Sequence, residues 1–320
     1  MMTKRPLITV CVPVYNTASY IRQCIESVLA QEFKDWILLV SDNCSTDGTW
    51  EILQEFQHPQ IRLFRQSQNI GPNANWNFLL EKVETDYFCF LGSDDYFYPN
   101  HLANKVRLLE LHPQAPFVHG PADFVDETGK PIPKPPESPL PLTEQSRSVL
   151  QGLLAQNYIN ITSVVFRKAS LNALGLKVDR RLRFFGDWHL YVELALFHPY
   201  ILFDCQTTAV YRIHAMSDAR QNIRSFAWAM EAQDHLLASL AEHPGEWKSL
   251  GFDTLAESKR LTERRWVLAL KQAANGQFGN ANQAWRGFRK FHTASDIIKD
   301  IPRYIRYRLQ LSAAKRRQAL

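Results

Sequence analysis

The sequence has few cysteines and no long apolar run, and both absences limit what the chain can be. Its 320 residues include five cysteines, an odd number without a Cys-x-x-Cys pair, so neither a disulfide framework nor a zinc site is predicted. No apolar segment reaches the roughly 18 residues that a membrane-spanning helix needs. The apolar run near the start is short, contains Pro13 and lacks a signal-peptide cleavage site. We therefore expect a cytoplasmic protein.

Negative charge is scarce towards the C-terminus. The net charge is +5, and residues 286–320 contain ten Lys or Arg against two Asp, which leaves −3 for residues 1–285. An apolar stripe in this tail predicts a basic amphipathic helix, which suits the anionic inner face of a membrane as a peripheral contact. A solvated helical face is the alternative. Because the main domain is acidic and no nucleic-acid module is recognisable, we expect no nucleic acid. The stripe is Ile297, Ile301, Tyr304, Ile305 and Leu309.

Strands and helices alternate in the first hundred residues. Runs rich in β-branched and aromatic residues predict buried strands, and amphipathic helices follow them, as at residues 21–29. The resulting β-α-β-α-β-α-β order predicts an α/β fold with a Rossmann-like, mostly parallel sheet flanked by helices. The predicted strands are residues 7–14, 36–40, 61–64 and 87–91.

The rest of the chain changes character near residue 220. Six prolines between residues 131 and 141 predict an exposed loop. The pattern becomes helical after about residue 220, so we predict an α/β domain at 1–220 and a helical region with the basic tail at 221–320. Further strands are predicted at 117–119, 162–166, 200–203 and 209–211, and helices at 226–240 and 255–274.

Polar residues follow three of the predicted strands directly. Tyr15 and Asn16 follow the first strand, residues 42–47 the second, and Asp94 with Asp95 the fourth. Each cluster alone could be ordinary turn chemistry. The carboxyl ends of parallel strands meet at one edge, where open α/β sheets bind ligands, so a binding crevice is predicted there. Adjacent carboxylates repel each other, which favours a divalent cation between them.

Four motifs in this region occur in a specific order. In that order and spacing they resemble the family 2 glycosyltransferases, which have the GT-A fold and invert the anomeric configuration. The resemblance covers roughly residues 7–215. The motifs are Val12-Pro13-Val14-Tyr15-Asn16, then Ser41-Asp42-Asn43-x-Ser45-x-Asp47-Gly48-Thr49, then Asn69-x-Gly71 with Asn77, and Ser93-Asp94-Asp95 with Pro99.

The resemblance implies a site for a nucleotide-diphosphate sugar and Mg²⁺ or Mn²⁺. It makes Asp42 the acceptor of a hydrogen bond from the base and Asp94 the principal metal ligand, with Asp95 and His214 as further ligands. The family usually has an acid two residues before the metal Asp, whereas this chain has Gly92. The implied nucleotide-sugar contacts are Pro13, Tyr15, Asn16, Asp42, Asp47, Asn77, Ser93 and Asp95.

A catalytic base is implied at residue 187. The segment Gly186-Asp187-Trp188 resembles the family's acidic motif at a helix start, usually Glu-Asp, with Gly186 in the place of Glu. An inverting transfer needs a base that deprotonates the attacking hydroxyl, and Asp187 matches that position. The alternative is that Asp187 serves as a helix N-cap.

The resemblance therefore implies an inverting glycosyltransferase that moves a sugar, most simply from a UDP-sugar, to a glycan or lipid-linked acceptor in surface polysaccharide synthesis. Two alternatives remain. A sugar-1-phosphate nucleotidyltransferase needs a Gly-rich phosphate loop after the first strand, where this chain has Tyr15-Asn16-Thr17-Ala18. A non-catalytic sugar-binding protein of the same fold is favoured by the glycines at 92 and 186.

Overall fold

The computed structural model describes residues 6–133, 140–179, 181–215, 225–263 and 265–293. The chain divides into two compact units, Met1–Arg224 and Ser225–Leu320. The apolar stripe of the basic amphipathic helix predicted in the tail, and part of the proline-rich loop, lie outside the described residues. Among the helices that the described ranges contain, none is long and apolar enough to cross a membrane.

The first unit is an α/β structure, which confirms the predicted fold class. Its strands are β1 (Ile8–Val14), β2 (Trp36–Asp42), β3 (Ile61–Arg65), β4 (Tyr87–Phe90), β5 (Tyr96–Phe97), β6 (Phe117–His119), β7 (Ala122–Val125), β8 (Thr143–Gln145), β9 (Val165–Arg167), β10 (Tyr200–Phe203) and β11 (Ala209–Arg212). Its helices are α1 (Ile21–Leu29), α2 (Thr49–Gln54), α3 (Pro72–Glu81), α4 (His101–Leu111), α5 (Ser146–Ala155), α6 (Lys168–Ala173) and α7 (Gly186–Phe197).

The second unit is helical over its described residues, as predicted. One expected helix at 255–274 is instead described as two, because Thr254–Thr262 and Arg265–Ala274 are separate elements. Its helices are α8 (Phe226–Glu242), α9 (Pro244–Ser249), α10 (Thr254–Thr262), α11 (Arg265–Ala274) and α12 (Phe278–Arg289).

The large sheet has the order β3-β2-β1-β4-β9-β6-β10-β8. Strands β3, β2, β1 and β4 are parallel, and β1 lies between β2 and β4 with nearly every one of its side chains buried. Its register pairs Val14 with Asp42 on β2, so the residues after both strands emerge at the same edge. Strand β9 is antiparallel to both β4 and β6.

A three-stranded sheet, β5-β11-β7, completes the same edge. Strand β5 begins directly after Asp94 and Asp95, and β11 pairs with it in antiparallel register, Val210 opposite Tyr96. The chain leaves β11 two residues before His214. This pairing brings the end of β11 beside the two acids, which are more than a hundred residues away in sequence.

The strand predicted at 162–166 is shorter than expected and is preceded by a different structure. Residues Ile161–Ser163 form a 3-10 turn, and the strand begins only at Val165. Asn160 stabilises the turn because its side chain accepts a hydrogen bond from the Thr162 amide at 2.9 Å. The turn frees Thr162 from any strand pairing and directs its hydroxyl towards the acidic loop.

Candidate active site

The loops after β1 and β2 are joined by hydrogen bonds through Asn16. The backbone amide of Asn16 donates to Ser45 Oγ at 2.9 Å, and its own Oδ1 accepts from the Thr46 amide at 2.9 Å. Asn16 has φ 52°, a left-handed conformation that asparagine tolerates well. Beside it, Tyr15 is 47% exposed, and Pro13 lies within β1 opposite Ser41. The two loops therefore form one continuous surface.

Asp47 closes the same connection from the other side. Its Oδ2 accepts from the Ala18 amide at 3.0 Å, and its Oδ1 accepts from the Thr49 amide at 3.1 Å and from the Thr49 hydroxyl at 2.5 Å. Burial raises the pKa of Asp47, but these hydrogen bonds outweigh it and lower the pKa below the ordinary value. The ionised Asp47 side chain therefore joins the loop after β1 to the start of α2.

Asp42 lies beneath this surface. Its side chain is fully buried and meets Arg65 Nε at 3.3 Å, and it accepts from the Ser45 amide at 3.2 Å. Arg65 is 39% exposed, also donates to the Ser45 carbonyl at 3.1 Å, and lies over the Trp50 ring at 5.2 Å. Arg65 was not singled out from the sequence, since one Arg after a short strand carries no distinctive pattern.

The third motif loop is attached through Asn43. Its Oδ1 accepts from the Ile70 amide at 2.8 Å, and its Nδ2 donates to Asn69 Oδ1 at 3.0 Å. Gly71 has φ 84°, a left-handed conformation that favours glycine. The Asn69-x-Gly71 motif thus forms a turn fixed against the loop after β2.

Asn77 was implied as a nucleotide contact, and the structure gives it a different role. It is buried in α3, where its Nδ2 donates to the Val178 carbonyl at 2.7 Å and its Oδ1 accepts from the Val178 amide at 2.9 Å. One turn earlier, Asn73 donates to the Asp179 carbonyl at 3.0 Å. Because both ends of its amide are bonded to Val178, the buried Asn77 holds the segment that leads towards α7, and its implied nucleotide contact stays a prediction.

Asp94 and His214, both implied as metal ligands, are brought together. Asp94 Oδ2 lies 2.9 Å from His214 Nε2, and the two side chains are 25% and 12% exposed. His214 also contacts the Tyr20 ring at 5.0 Å between centroids. These two side chains form a partly exposed O/N pair at the carboxyl edge of the sheet, next to the buried Ser93.

Asp95 does not join that pair. It is 2% exposed; its Oδ2 accepts from the Thr162 hydroxyl at 2.5 Å and its Oδ1 from the Arg212 amide at 2.8 Å. Burial and the neighbouring charge of Asp94 raise the pKa of Asp95 well above the ordinary value. Both oxygens bind protein groups in this structure, and the side chain fastens β11 to the acidic turn; the implied metal and sugar role of Asp95 stays a prediction.

Gly92 has a packing explanation. A Cβ at this position would lie 2.6 Å from Asp95 Oδ2 and 3.0 Å from Asp94 Oδ1. The space where the family's usual acid would begin is already filled by the Asp95 carboxylate. Residue 92 can therefore be acidic only if Asp95 moves, which accounts for the departure from the family pattern.

Arg212 is a further residue that sequence reasoning did not assign. It is 3% exposed, and its guanidinium donates to the Asp94 carbonyl at 2.9 Å, the Asp126 carbonyl at 3.1 Å and Gln23 Oε1 at 2.7 Å. It also lies over the Tyr20 ring at 4.7 Å. This buried cation fixes the backbone of the acidic turn and offsets its negative charge.

Asp187, the implied base, lies in the first turn of α7 and is partly exposed. The N-cap is Phe185, not Asp187. The Oδ1 atom of Asp187 accepts a hydrogen bond from the Trp188 amide at 2.7 Å, and its Oδ2 atom accepts one from Asn157 Nδ2 at 3.2 Å. Burial raises the pKa of Asp187 to about 6, against the lowering effect of these two bonds. A carboxylate with such a pKa is a stronger base than an ordinary Asp and is still largely ionised at neutral pH.

Gly186 is explained in the same way as Gly92. A Cβ there would lie 2.4 Å from Val178 Cγ1 and 3.1 Å from Asn73 Oδ1. Val178 is the residue held by Asn77, so the packing of α3 against this segment excludes the family's usual Glu. The absence of that acid follows from close packing at the start of α7.

The segment between α5 and β9 connects the two acidic centres. Asn157 contacts Asp187, and Thr162, five residues later, contacts Asp95. Five residues of extended chain span at most about 18 Å. The Cα atoms of Asn157 and Thr162 therefore lie no farther apart than that. Sequence reasoning missed both residues because isolated Asn and Thr side chains are common in turns.

The cation that the resemblance implies has only partial support from the side chains. Within the described ranges, no group of three or more His, Cys, Asp or Glu side chains could hold a metal ion. Asp94 and His214 offer one oxygen and one nitrogen ligand, and Mg²⁺ often takes few protein ligands together with substrate phosphates. These two side chains therefore fit a cation whose other ligands come from a bound diphosphate.

The profile of glycosyl transferase family 2 matches residues 9–170, just over half of the chain. The chain belongs to this family. The matched residues include the loops after β1 and β2, the acidic turn and Thr162, whereas Asp187 and His214 lie beyond them. Membership was predicted from the four motifs and is confirmed.

Curated relatives agree with this membership. An uncharacterized glycosyltransferase of Haemophilus influenzae is 30% identical over 226 residues, covering 70% of this chain and 86% of the relative. A putative teichuronic acid biosynthesis glycosyltransferase of Bacillus subtilis is 33% identical over 111 residues, covering 34% and 44%. Against an uncharacterized glycosyltransferase of Rickettsia felis, the chain spans only 36% of the relative's length.

Solved structures share the fold. S. aureus TarS in complex with UDP-GlcNAc has a TM-score of 0.60 at 16% identity, over 90% of this chain and 93% of that one. The mannosyltransferase PcManGT of Pyrobaculum calidifontis, in complex with GDP-Man and Mn²⁺, has a TM-score of 0.55 at 17% identity, over 95% and 81%. At these identities the likeness shows the GT-A fold alone.

Proposed function

We propose that the chain is an inverting glycosyltransferase that uses a nucleotide-diphosphate sugar, with Asp187 as the catalytic base. The observation that carries this proposal is the environment of Asp187. The residue is partly exposed, its pKa is raised to about 6 by burial, and its carboxylate accepts hydrogen bonds from Trp188 and Asn157. A base near neutrality that remains accessible is what proton abstraction from an acceptor hydroxyl requires.

The chemistry assigned to Asp187 is a single proton transfer. The acceptor hydroxyl lies against Asp187 and gives its proton to a carboxylate oxygen as its own oxygen attacks the anomeric carbon. The bond to the nucleoside diphosphate breaks on the opposite face, which inverts the anomeric configuration. At pH 7 a group with a pKa of about 6 is roughly nine-tenths ionised, so most molecules carry the base in its active form.

Asp94 and His214 would hold the divalent cation, Mg²⁺ or Mn²⁺, together with the donor's diphosphate. A bound cation would neutralise the charge that develops on the leaving diphosphate. The 2.9 Å contact between the two side chains and their partial exposure support this assignment. Arg212 positions the turn through the Asp94 carbonyl and is not assigned a contact with the donor.

The nucleotide is proposed to lie on the surface formed by the loops after β1 and β2. Tyr15 and Arg65 are exposed there, as are Asn16 and Asp47, which hold the loops in place. Asp42 is buried beneath, so its part in recognising the base is to orient Arg65 and the Ser45 amide. A UDP-sugar is the proposed donor.

The acceptor is proposed to be a hydroxyl of a glycan or a lipid-linked saccharide, in surface polysaccharide synthesis at the inner face of the membrane. Support comes from family membership and from the relative named for teichuronic acid biosynthesis. A non-catalytic sugar-binding protein is less favoured than it was from sequence, because packing explains both Gly92 and Gly186.

A donor panel tests the proposal. The full chain is incubated with UDP- and GDP-sugars, Mg²⁺ or Mn²⁺ and a mixture of saccharide acceptors, and the release of nucleoside diphosphate is measured. Release with one donor class is expected, and it should disappear in Asp187→Asn. Donor binding by calorimetry without any release, in protein that is folded by circular dichroism, would instead indicate a binding protein.

A further inference from the structure

The second unit is divided into an acidic and a basic half. Residues 225–263, which form α8, α9 and α10, contain seven Asp or Glu and three Lys or Arg, a net −4. Residues 265–293, which form α11 and α12, contain five Lys or Arg and neither Asp nor Glu, a net +5. Within fewer than seventy residues, the basic charge of the unit is therefore concentrated on α11, α12 and the residues directly after α12.

Four of the five basic side chains in the second half are available at the surface. Arg265 is buried and paired with Asp234 of α8 at 2.5 Å, so its charge is already balanced. The remaining four are exposed on α11, on α12 and directly after it. They are Lys271, Arg286, Arg289 and Lys290.

Large apolar side chains are exposed among these cations. Leu270 is 62% exposed, Phe278 72% and Trp285 39%. Leu270 is near the end of α11 and Phe278 is the first residue of α12, and a connection of three residues joins the two packed helices. Leu270 and Phe278 therefore lie at the same end of this helical hairpin.

The helical period places the aromatic residues on one exposed face of α12. Phe278, Trp285 and Arg289 are related by i, i+7 and i+11, which a helix of 3.6 residues per turn brings to one side. The neighbouring side is buried, with Ala284 at 0% and Phe288 at 2% exposure, and the Trp285 ring stacks on Phe288 at 5.8 Å between centroids. The helix thus has its own apolar contact with the unit and carries, beside it, an exposed apolar stripe flanked by cations.

We propose that the α11–α12 hairpin binds an anionic phospholipid surface, with Leu270, Phe278 and Trp285 entering the headgroup region and the four exposed cations meeting lipid phosphates. Aromatic and aliphatic side chains beside Lys and Arg, on a helix lying in the interface plane, are what such a surface binds. This inference does not depend on sugar transfer.

Charge complementarity selects this occupant over others. Residues 294–320 of the chain carry an excess of Lys and Arg, so they would be repelled from the same face. A second copy of the hairpin would bring like charges together as well. A nucleic acid would match the charge, but the leucine at the hairpin end has no base-stacking role and suits hydrocarbon instead.

The test uses the full chain and vesicles of phosphatidylcholine with or without phosphatidylglycerol. Binding by flotation is expected only with phosphatidylglycerol. The triple variant Leu270→Ser, Phe278→Ser, Trp285→Ser should bind at least about tenfold more weakly. The matched control is Leu255→Ser in α10, a leucine that is 57% exposed in the acidic half and whose replacement should leave binding unchanged.

A local probe separates the hairpin from the basic tail. With the exposed Cys205 replaced by serine, an environment-sensitive dye is attached at Phe278→Cys or, as control, at Leu255→Cys. A blue shift on phosphatidylglycerol vesicles at 278 but not at 255 is expected. An unshifted dye at 278 would overturn the proposal and assign any flotation to other residues. Equal loss of vesicle binding in the triple variant and in the Leu255→Ser control would overturn the proposal too. So would a triple variant that still floats with vesicles but has lost a tight binding to oligonucleotides that the unchanged chain shows.

Discussion

Asp47 and Asp187 are both carboxylates at the carboxyl edge of the sheet, but their surroundings are opposite. Asp47 accepts three hydrogen bonds from Ala18 and Thr49, and its pKa is lowered. Asp187 accepts two, from Trp188 and Asn157, and burial raises its pKa to about 6. Asp47 is surrounded by hydrogen-bond donors and holds a loop. Asp187 has fewer donors, and its raised pKa makes it the stronger base of the two.

The acidic turn repeats this division between two adjacent residues. Asp95 is buried with both oxygens engaged, and Asp94 is partly exposed beside His214. In each pair one acid supports the architecture and the other is left for a ligand or a proton. Within each pair, the more heavily hydrogen-bonded acid is the one that supports the architecture, and its partner has fewer donors around it.

The largest effect is expected from Asp187→Asn. An amide cannot accept the acceptor's proton, and general base catalysis typically contributes 10²–10⁴-fold, so we expect transfer to fall about 10³-fold. Donor affinity, measured by calorimetry, should change little because Asp187 faces the acceptor. Retention of full activity would remove Asp187 as the base, and loss of donor binding would make it a structural residue like Asp47.

The next largest effect is expected from Asp94→Asn. Losing the exposed carboxylate should reduce cation-dependent transfer on the order of 10²-fold, since a bound cation is worth several kcal/mol in stabilising charge. The change is measured as activity against Mn²⁺ concentration and as Mn²⁺ binding with donor present.

Asp95→Asn is the matched comparison for that experiment. It should lower the unfolding free energy, because the Nδ2 group that replaces one carboxylate oxygen cannot accept the hydrogen bond that Thr162 or Arg212 donates there, while leaving the Mn²⁺ requirement unchanged. The division between the two acids fails if Asp95→Asn alone abolishes that requirement.

Asp47→Ala should destabilise the folded chain by about 1 kcal/mol at neutral pH, since it removes a carboxylate that accepts backbone hydrogen bonds. Because the folded-state pKa is lowered, this stabilisation is present above the unfolded pKa of about 3.9 and is lost as pH falls through the folded value. Urea unfolding at neutral and at acidic pH measures it. A deficit of equal size at both pH values would show that the charge of Asp47 is unimportant.

The smallest effect at pH 7 is expected from Asn157→Ala. Asn157 stabilises the ionised form of Asp187, so its loss should raise the pKa of Asp187 by about half a unit to one unit. The rise of kcat with pH should then move to higher pH by that amount, and activity at pH 7 should fall only about twofold. Asn160→Ala is the control, because Asn160 caps the 3-10 turn and has no contact with Asp187 among its hydrogen bonds. An unmoved pH profile in Asn157→Ala would contradict the proposed contact.

Much of this site could be predicted from the sequence. Strands rich in β-branched residues, each ending in polar residues, predict where the loops emerge, and the resemblance to the family motifs pointed to Asp94, His214 and Asp187. Residues whose partners are distant could not be found in this way. Arg212 is 118 positions from the turn it supports, and Arg65, Asn157 and Thr162 carry no local pattern.

The sequence by itself determined the family, the order of strands and helices, and which acids stand at the sheet edge, because hydrophobic period and motif spacing are local properties of the chain. Tertiary structure alone decided which acids remain available. Asp95 fills the space above Gly92, and Val178 fills the space above Gly186, so close packing removes two family acids. Burial and hydrogen bonding, which only the folded chain sets, leave Asp187 partly exposed with a pKa raised to about 6.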